Sequence, residues 1–246
     1  TPDRMVVAVA GNIDHRQTVA LVERAFGGHL GRDVEPVPRR GGSARVRARP
    51  ELKFVKRDSE QAHLSLGVRA FGRHEGHRWA LSILNAAVGG GLSSRLFQEI
   101  REERGLAYSV YSSVDTFADS GAFSVYAGCQ PENLAEVTTV VREVLAQVAS
   151  EGITDDECAR AKGSLRGGLV LGLEDSGSRM NRIGRSELNY GNHRDIADTL
   201  ARIDEVTNDE VRDVAQVLLA RPFGAAVVGP YKSARQLPSS VKSIIG

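Results

Sequence analysis

Two neighbouring stretches of the chain, LAYSVYSSV at residues 106–114 and GAFSVYAGC at residues 121–129, alternate apolar residues with polar or small ones. A period of two residues is typical of a β-strand that buries one face. Only the short segment DTFADS separates the two stretches, whereas parallel strands need a crossover of about a dozen residues or more. The sequence therefore predicts an antiparallel hairpin, and any fold of this chain has to contain it.

The remaining patterns place helices against the sheet that contains this hairpin. LKFVKR, AHLSLGVRA and FGAAVVGPY have the composition of further strands, and RWALSILNAAV and NLAEVTTVVREVLAQVAS carry apolar residues at helical spacing. Capping-box pairs predict helices that begin at Thr154, with Glu157, and at Thr207, with Glu210. Strands grouped early, helices grouped late and a final strand predict an α+β fold with helices packed on one face of a mostly antiparallel sheet.

The start of the chain is organised differently. MVVAVAG at residues 5–11 predicts a buried strand, and a helix capped by Asp14 and ended by Gly27 follows it. One strand and one helix cannot form a domain, and no Met precedes Thr1, so we expect residues 1–28 to be the end of a domain that is otherwise missing. Residues 29–50, rich in Gly, Pro and Arg, are expected to form an interdomain linker. Residues 51–231 then form a complete C-terminal domain, with a C-terminal tail at 232–246.

Composition bears on partners and location. A net charge of +1 gives no basic field for nucleic acid. No stretch approaches the roughly 20 apolar residues of a membrane-spanning helix, so we expect neither nucleic acid nor a membrane as a partner. Cys129 and Cys158 do not resemble a disulfide framework or a zinc knuckle. Two reduced thiols predict a cytoplasmic protein.

The glycine triplet in GGGLSSRLFQEIREERGLAY, residues 89–108, invites comparison with phosphate-binding loops. A Walker loop needs Lys and then Ser or Thr after its last glycine, but Leu92 follows Gly91, and no third glycine stands where a dinucleotide fingerprint needs it. The triplet instead predicts a break between two helices. We expect the second helix to run from an N-cap at Ser93 or Ser94 to a stop at Gly105.

The same stretch carries a family resemblance. AVGGGLSSRLFQEIREERGLAYSVYSS, followed by SGAFSVYAG, strongly resembles the second half of the pitrilysin or insulinase-like zinc metallopeptidases, close to the mitochondrial processing peptidase branch. The resemblance extends from MVVAVAGNID to AAVVGP. It implies a half-molecule of two related α+β domains, of which the first carries an inverted zinc motif, HxxEH, and this chain supplies the second. Residues 1–28 would then end the missing zinc-bearing domain.

The resemblance also implies two substrate-binding residues. In this family an arginine and a tyrosine seven residues apart contact the peptide near the scissile bond, and these positions fall on Arg101 and Tyr108. A guanidinium and a phenol are suitable donors for a carbonyl oxygen that becomes an oxyanion. Arg104 could serve instead of Arg101, although its spacing to Tyr108 does not match. Without the resemblance, Arg101 would only solvate a helix face and Tyr108 would be a strand residue half in the core.

No HxxEH motif occurs in this chain, so we expect no metal site in it and no catalytic residue, with zinc only in the parent enzyme. HEGH at residues 74–77 places His74 and His77 near each other, but a catalytic zinc needs three protein ligands, and the known helical motifs use an i, i+4 pair. The expected role of HEGH is a solvated helix start.

These observations predict the C-terminal, substrate-binding portion of a zinc-dependent endopeptidase or oligopeptidase that acts on extended peptides and is inactive alone. The partners expected are the peptide substrate, the missing catalytic domain in cis or on a second subunit, and a second copy in a dimer. The alternative is a non-catalytic scaffold or core subunit similar to those of processing peptidases. Retention of both Arg101 and Tyr108 favours the first of these two functions.

Overall fold

A computed structural model of the chain describes residues 5–28 and 50–245. Its single sheet has five strands in the order β1-β5-β2-β4-β3. Strands β1 and β5 are parallel, and the other three neighbouring pairs are antiparallel. The strands are β1 Leu52–Lys56, β2 Ala62–Ala70, β3 Ala107–Thr116, β4 Gly121–Cys129 and β5 Gly224–Gly229.

Helices precede, separate and follow the strands along the chain. The α-helices are α1 His15–Phe26, α2 Arg78–Val88, α3 Leu134–Glu151, α4 Asp155–Gly172, α5 Ser176–Tyr190, α6 Ile196–Glu205, α7 Asn208–Leu219 and α8 Ser239–Ser243. A π-helix spans Phe97–Glu103, and single 3₁₀ turns occur at Pro131–Asn133 and Ala234–Gln236.

The chain divides into two compact units. Among the described residues, one contains the sheet and consists of residues 50–165 and 201–245, and the other consists of residues 5–28 and 166–200. The domain boundaries expected from the sequence are not tested by this division and stay a prediction.

The core of the sheet-bearing unit lies on one face of the sheet. Alternate residues of β2 and β4, including Leu64, Leu66, Phe123 and Val125, are almost fully buried there. Helix α7 contacts both α2 and α3, and each of these three helices contacts a strand of the sheet. The apolar stripe predicted for α3 is buried at every position, at Leu134, Val137, Val141, Val144 and Val148. The predicted α+β fold with a mostly antiparallel sheet is therefore confirmed, and so is the β3–β4 hairpin.

Helix starts follow the predicted capping chemistry. The backbone N–H of Gln17 donates to the Asp14 carboxylate at 2.8 Å at the start of α1. Thr207 and Glu210 form a complete capping box at α7. These caps satisfy backbone N–H groups that have no partner within the helix.

The strand predicted for residues 5–11 is wrong for the structure described. Residues 5–10 belong to no ladder, and Met5, Val7 and Val9 are 43%, 50% and 41% exposed. A strand needs a neighbour to pair its N–H and C=O groups. Among the described residues of the smaller unit, no other segment forms a strand, so the apolar pattern alone cannot produce one.

Gly89, the first residue of the glycine triplet, makes a close backbone contact that the sequence does not predict. Helix α2 ends at Gly89, whose carbonyl accepts a hydrogen bond from Ser112 N of β3 at 3.0 Å. A Cβ on Gly89 would lie 2.4 Å from Ser112 N, closer than any side chain tolerates. Gly89 therefore both ends α2 and lets its backbone reach the edge of the sheet.

Candidate functional site

The segment after the glycine triplet is not the α-helix that the sequence predicts. Residues 95 and 96 begin a helical turn, and Phe97–Glu103 continue it as a π-helix. The Ser94 hydroxyl donates to Gly91 O at 2.6 Å, and the described structure shows no backbone N–H of the turn donating to it as to an N-cap. The predicted stop at Gly105 is present, with a left-handed φ of 61°. π-helices are rare and frequently mark functional sites.

A β-bulge places Tyr108 at the start of β3. Ala107 pairs with Cys129 and Ser109 pairs with Gly128, so Tyr108 is an extra residue with no partner on β4. Bulges re-aim a side chain and are common beside active sites. Tyr108 is 74% exposed, so the alternative of a strand residue half in the core is wrong.

The structure brings Arg101 and Tyr108 together. Arg101 Nη1 donates a hydrogen bond to the backbone oxygen of Tyr108 at 2.8 Å. The guanidinium carbon of Arg101 also lies 5.0 Å from the centre of the Tyr108 ring, within cation–π distance. The Arg101 side chain is 38% exposed, so a guanidinium and a phenol lie next to each other at the surface.

Arg104, the alternative to Arg101, belongs to a different set of contacts. Its guanidinium lies 3.7 Å from the Glu99 carboxylate and 3.9 Å from that of Glu136. These long pairs direct Arg104 toward α3, and no contact between Arg104 and Tyr108 is present in the described structure. Arg101, seven residues before Tyr108, therefore contacts the tyrosine, whereas Arg104, four residues before it, does not.

A partly buried ion pair fixes the beginning of the π-helix. Arg95 donates two hydrogen bonds to the Glu157 carboxylate, at 2.6 and 2.7 Å, and both side chains are 14% exposed. Burial alone would raise the pKa of Glu157, but hydrogen bonds from Arg95 and Thr154 lower this pKa to about 2. The hydrogen bond to Glu157 raises the pKa of Arg95, although desolvation opposes it. Such a bidentate pair holds Arg95, and therefore the turn that follows it, against α4.

The face of the sheet opposite the core carries a polar aromatic cluster that sequence reasoning missed. A hydrogen bond of 2.8 Å joins His63 Nδ1 and Tyr126 Oη, and the Tyr111 and Tyr126 rings are 5.1 Å apart. Desolvation, and after it Tyr111, raises the pKa of Tyr126. The alternation of β2 predicts His63 on the polar face, but the cluster depends on strand register, which alternation alone does not specify.

The HEGH segment forms a turn before α2. The His77 ring stacks on Phe71 with centroids 4.7 Å apart, and the Glu75 carboxylate accepts a hydrogen bond from Gly72 N at 2.6 Å. Across residues 5–28 and 50–245, no three His, Cys, Asp or Glu side chains are grouped so that they could hold a metal ion. The residues described do not fit a zinc site. In the same ranges, no helix is long and apolar enough to cross a membrane.

Comparison with known families identifies the chain. A family model described as "Peptidase M16 inactive domain" matches residues 1–165. The chain belongs to this family of peptidase M16 inactive domains, and the predicted resemblance to zinc metallopeptidases is confirmed at the level of the family. The narrower assignment to the processing peptidase branch stays a prediction.

Curated relatives carry names of the same kind. An uncharacterized zinc protease of Mycobacterium tuberculosis is 61% identical over 246 residues, which are 100% of this chain and 56% of the relative. The uncharacterized zinc protease YmxG of Bacillus subtilis is 35% identical over 94% of this chain and 55% of its own length. The chain therefore spans about half the length of the curated relatives that it matches.

Solved structures share the fold. A peptidase M16 inactive domain from Pseudomonas fluorescens superposes with a TM-score of 0.74 at 21% identity, over 91% of this chain and 53% of that one. A protease from Helicobacter pylori gives a TM-score of 0.76 at 18% identity, over 90% and 54% of the two chains. At these identities the likeness concerns the fold alone.

Proposed function

We propose that this chain is the substrate-binding portion of a zinc-dependent endopeptidase or oligopeptidase that acts on extended peptides. The observation that carries the proposal is the contact between Arg101 and Tyr108, which a π-helix and a β-bulge bring together at the surface. A residue that only solvates a helix face needs neither a π-helix nor a β-bulge, and here both occur at the same place. The relatives named zinc proteases support the reaction class.

In this function Arg101 and Tyr108 hold the peptide and stabilise the oxyanion that forms at the scissile carbonyl. Preorganised donors are the usual source of such stabilisation. Arg101 is preorganised because its hydrogen bond and ring contact restrict a long side chain that would otherwise lose entropy on binding. Zinc and the general base belong to another part of the parent protein, since the described residues of this chain do not offer a metal site.

The proposal extends to partners and location. The zinc-bearing part would lie on the same polypeptide or on a second subunit, and the chain would form a dimer. A cytoplasmic location is consistent with Cys129 and Cys158, which are buried and not joined in a disulfide.

One observation favours the alternative of a non-catalytic scaffold or core subunit. Arg101 already donates to a backbone oxygen of its own chain and contacts the rings of that chain. These contacts occupy part of the hydrogen-bonding and cation–π capacity of Arg101. An arginine with a purely structural role would make the same contacts. If the parent protein had this surface intact but no peptidase activity, the chain would belong to a non-catalytic scaffold or core subunit.

The test is cleavage of an extended fluorogenic peptide by the parent protein. We expect Arg101→Ala or Tyr108→Phe to lower turnover about 10²–10³-fold, the usual effect of removing one oxyanion donor, with the melting temperature nearly unchanged. Arg104→Ala is the matched control and should do much less, because Arg104 pairs with Glu99 and Glu136. Equal losses at all three positions, each following a drop in melting temperature, would contradict the proposal.

A further inference from the structure

Arg101 has a second aromatic neighbour. Its guanidinium carbon lies 4.9 Å from the centre of the Phe97 ring and 5.0 Å from the centre of the Tyr108 ring. Phe97 is the first residue of the π-helix and Arg101 is four residues further on. Residues four apart face the same side of a helical turn. The left-handed turn at Gly105 then reverses the chain and returns Tyr108 to the same guanidinium.

The core does not account for Phe97. Its neighbours Leu96 and Ile100 are completely buried and hold this segment to the sheet-bearing unit, whereas Phe97 is only partly buried. Leucine at this position would serve a partly buried apolar contact as well. What leucine lacks is an aromatic face for a cation.

The other charged contact of Arg101 is weak. The Glu102 carboxylate lies 3.8 Å from Arg101 Nε, and its side chain is 53% exposed. Long, exposed ion pairs contribute little and fix geometry poorly. The hydrogen bond to Tyr108 and the two aromatic rings are therefore the contacts that determine where the guanidinium lies.

We infer that Phe97 is a positioning residue for Arg101. Its ring orients the guanidinium against Tyr108, so that the donors of Arg101 not used inside the chain are held in place for the peptide. This role rests on the proposed function, whereas the contact itself can be tested without any activity.

The first experiment is an NMR spectrum of the arginine side chains in the 246-residue chain, with the Arg101 Nε–H signal assigned from its absence in Arg101→Lys. We expect a signal shifted by the ring currents of two aromatic neighbours. Phe97→Leu should move it toward the position of a solvated arginine, and Phe97→Tyr should keep it shifted. Phe117→Leu is the matched control, because Phe117 is 58% exposed in the β3–β4 turn. An Arg101 signal that does not respond to Phe97→Leu overturns the inference.

The second experiment measures kcat and KM for peptide cleavage by the parent protein. We expect Phe97→Leu to lower kcat about threefold to tenfold, as the loss of one cation–π contact allows, with KM nearly constant and with recovery in Phe97→Tyr. Unchanged kcat in Phe97→Leu, with a large loss in Arg101→Ala, would leave the proposed function standing and overturn the positioning role. Unchanged kcat in Arg101→Ala as well would refute the proposed function, and the positioning role with it.

Discussion

The charge state of Glu157 directly affects the structure around the site. Its carboxylate joins the capping of α4 to the bidentate contact with Arg95, one residue before the buried Leu96. Both interactions require the ionised form. The pKa of Glu157 in the folded chain is about 2, below its ordinary value of 4.5, so protonation of this group opposes folding.

Stability should therefore fall in acid. A lowered folded-state pKa contributes stability that is fully present above pH 4.5 and is lost as pH falls toward 2. We expect this group to contribute about 3 kcal/mol. Denaturant unfolding between pH 6 and pH 2.5 would measure the loss.

The variant Glu157→Gln separates this effect from general acid denaturation. It should be less stable at pH 7, because Arg95 loses its carboxylate partner and keeps its hydrogen bond to Gly152 O at 3.3 Å, and its stability should change less between pH 4.5 and pH 2.5. Glu143→Gln, an exposed position on α3, is the control and should follow the wild-type pH dependence. If the wild type and Glu157→Gln had parallel pH profiles, the ion pair would not be the cause.

Metal binding is a second prediction at the residue scale. The purified chain should retain no stoichiometric zinc after dialysis and should not hydrolyse peptides, because three protein ligands are needed for a catalytic zinc. Metal analysis by mass spectrometry measures this. One tightly held zinc per chain, lost in His74→Ala or His77→Ala, would show that the turn before α2 is a metal site after all.

At the scale of elements, local patterns predicted those parts of the structure that local physics determines. The hairpin, the stripe of α3 and the capping boxes each depend on residues near in sequence. The start of the π-helix is held by a contact between residues distant in sequence, Arg95 and Glu157, and the bulge is a shift in the pairing of β3 with β4. One signal for the bulge was present, because the core-facing Ala107 and Val110 are three residues apart where alternation requires an even spacing.

The end of α2 gives a prediction about an element boundary. We expect Gly89→Ala to destabilise the chain by about 1–3 kcal/mol, because its methyl group would press on Ser112 N and Oγ, at 2.4 and 2.7 Å. The matched control is Gly91→Ala, where an added Cβ meets no atom within 4 Å. Urea unfolding of both variants measures the difference, and equal stability in the two would mean that β3 moves aside without cost.

At the scale of the whole molecule, the smaller unit presents apolar surface that nothing in the described chain covers. Met5, Val7, Val9, Ile13 and Val19 are each at least 40% exposed. A cavity of about 300 Å³ runs between residues 7–9, α1 and Ile183, all within this unit. The sequence predicted the apolar character of this segment but not its conformation, because a strand depends on a neighbour that local pattern cannot supply.

The exposed apolar segment at residues 5–10 should make the chain self-associate. Unpaired backbone groups beside apolar side chains are a template for pairing with another chain, and a two-fold dimer is the commonest arrangement in which two such segments meet. Analytical ultracentrifugation over a range of concentrations should show dimers or larger species. The double variant Val7→Lys/Val9→Lys should shift the distribution toward monomer, because charges on the segment oppose its burial, and deletion of residues 1–28 should do the same. Val217→Lys, at an exposed position on α7 that is 41% accessible, is the control and should leave association unchanged. A wild-type chain that stays monomeric at high concentration, with and without residues 1–28, would show that this segment needs no partner.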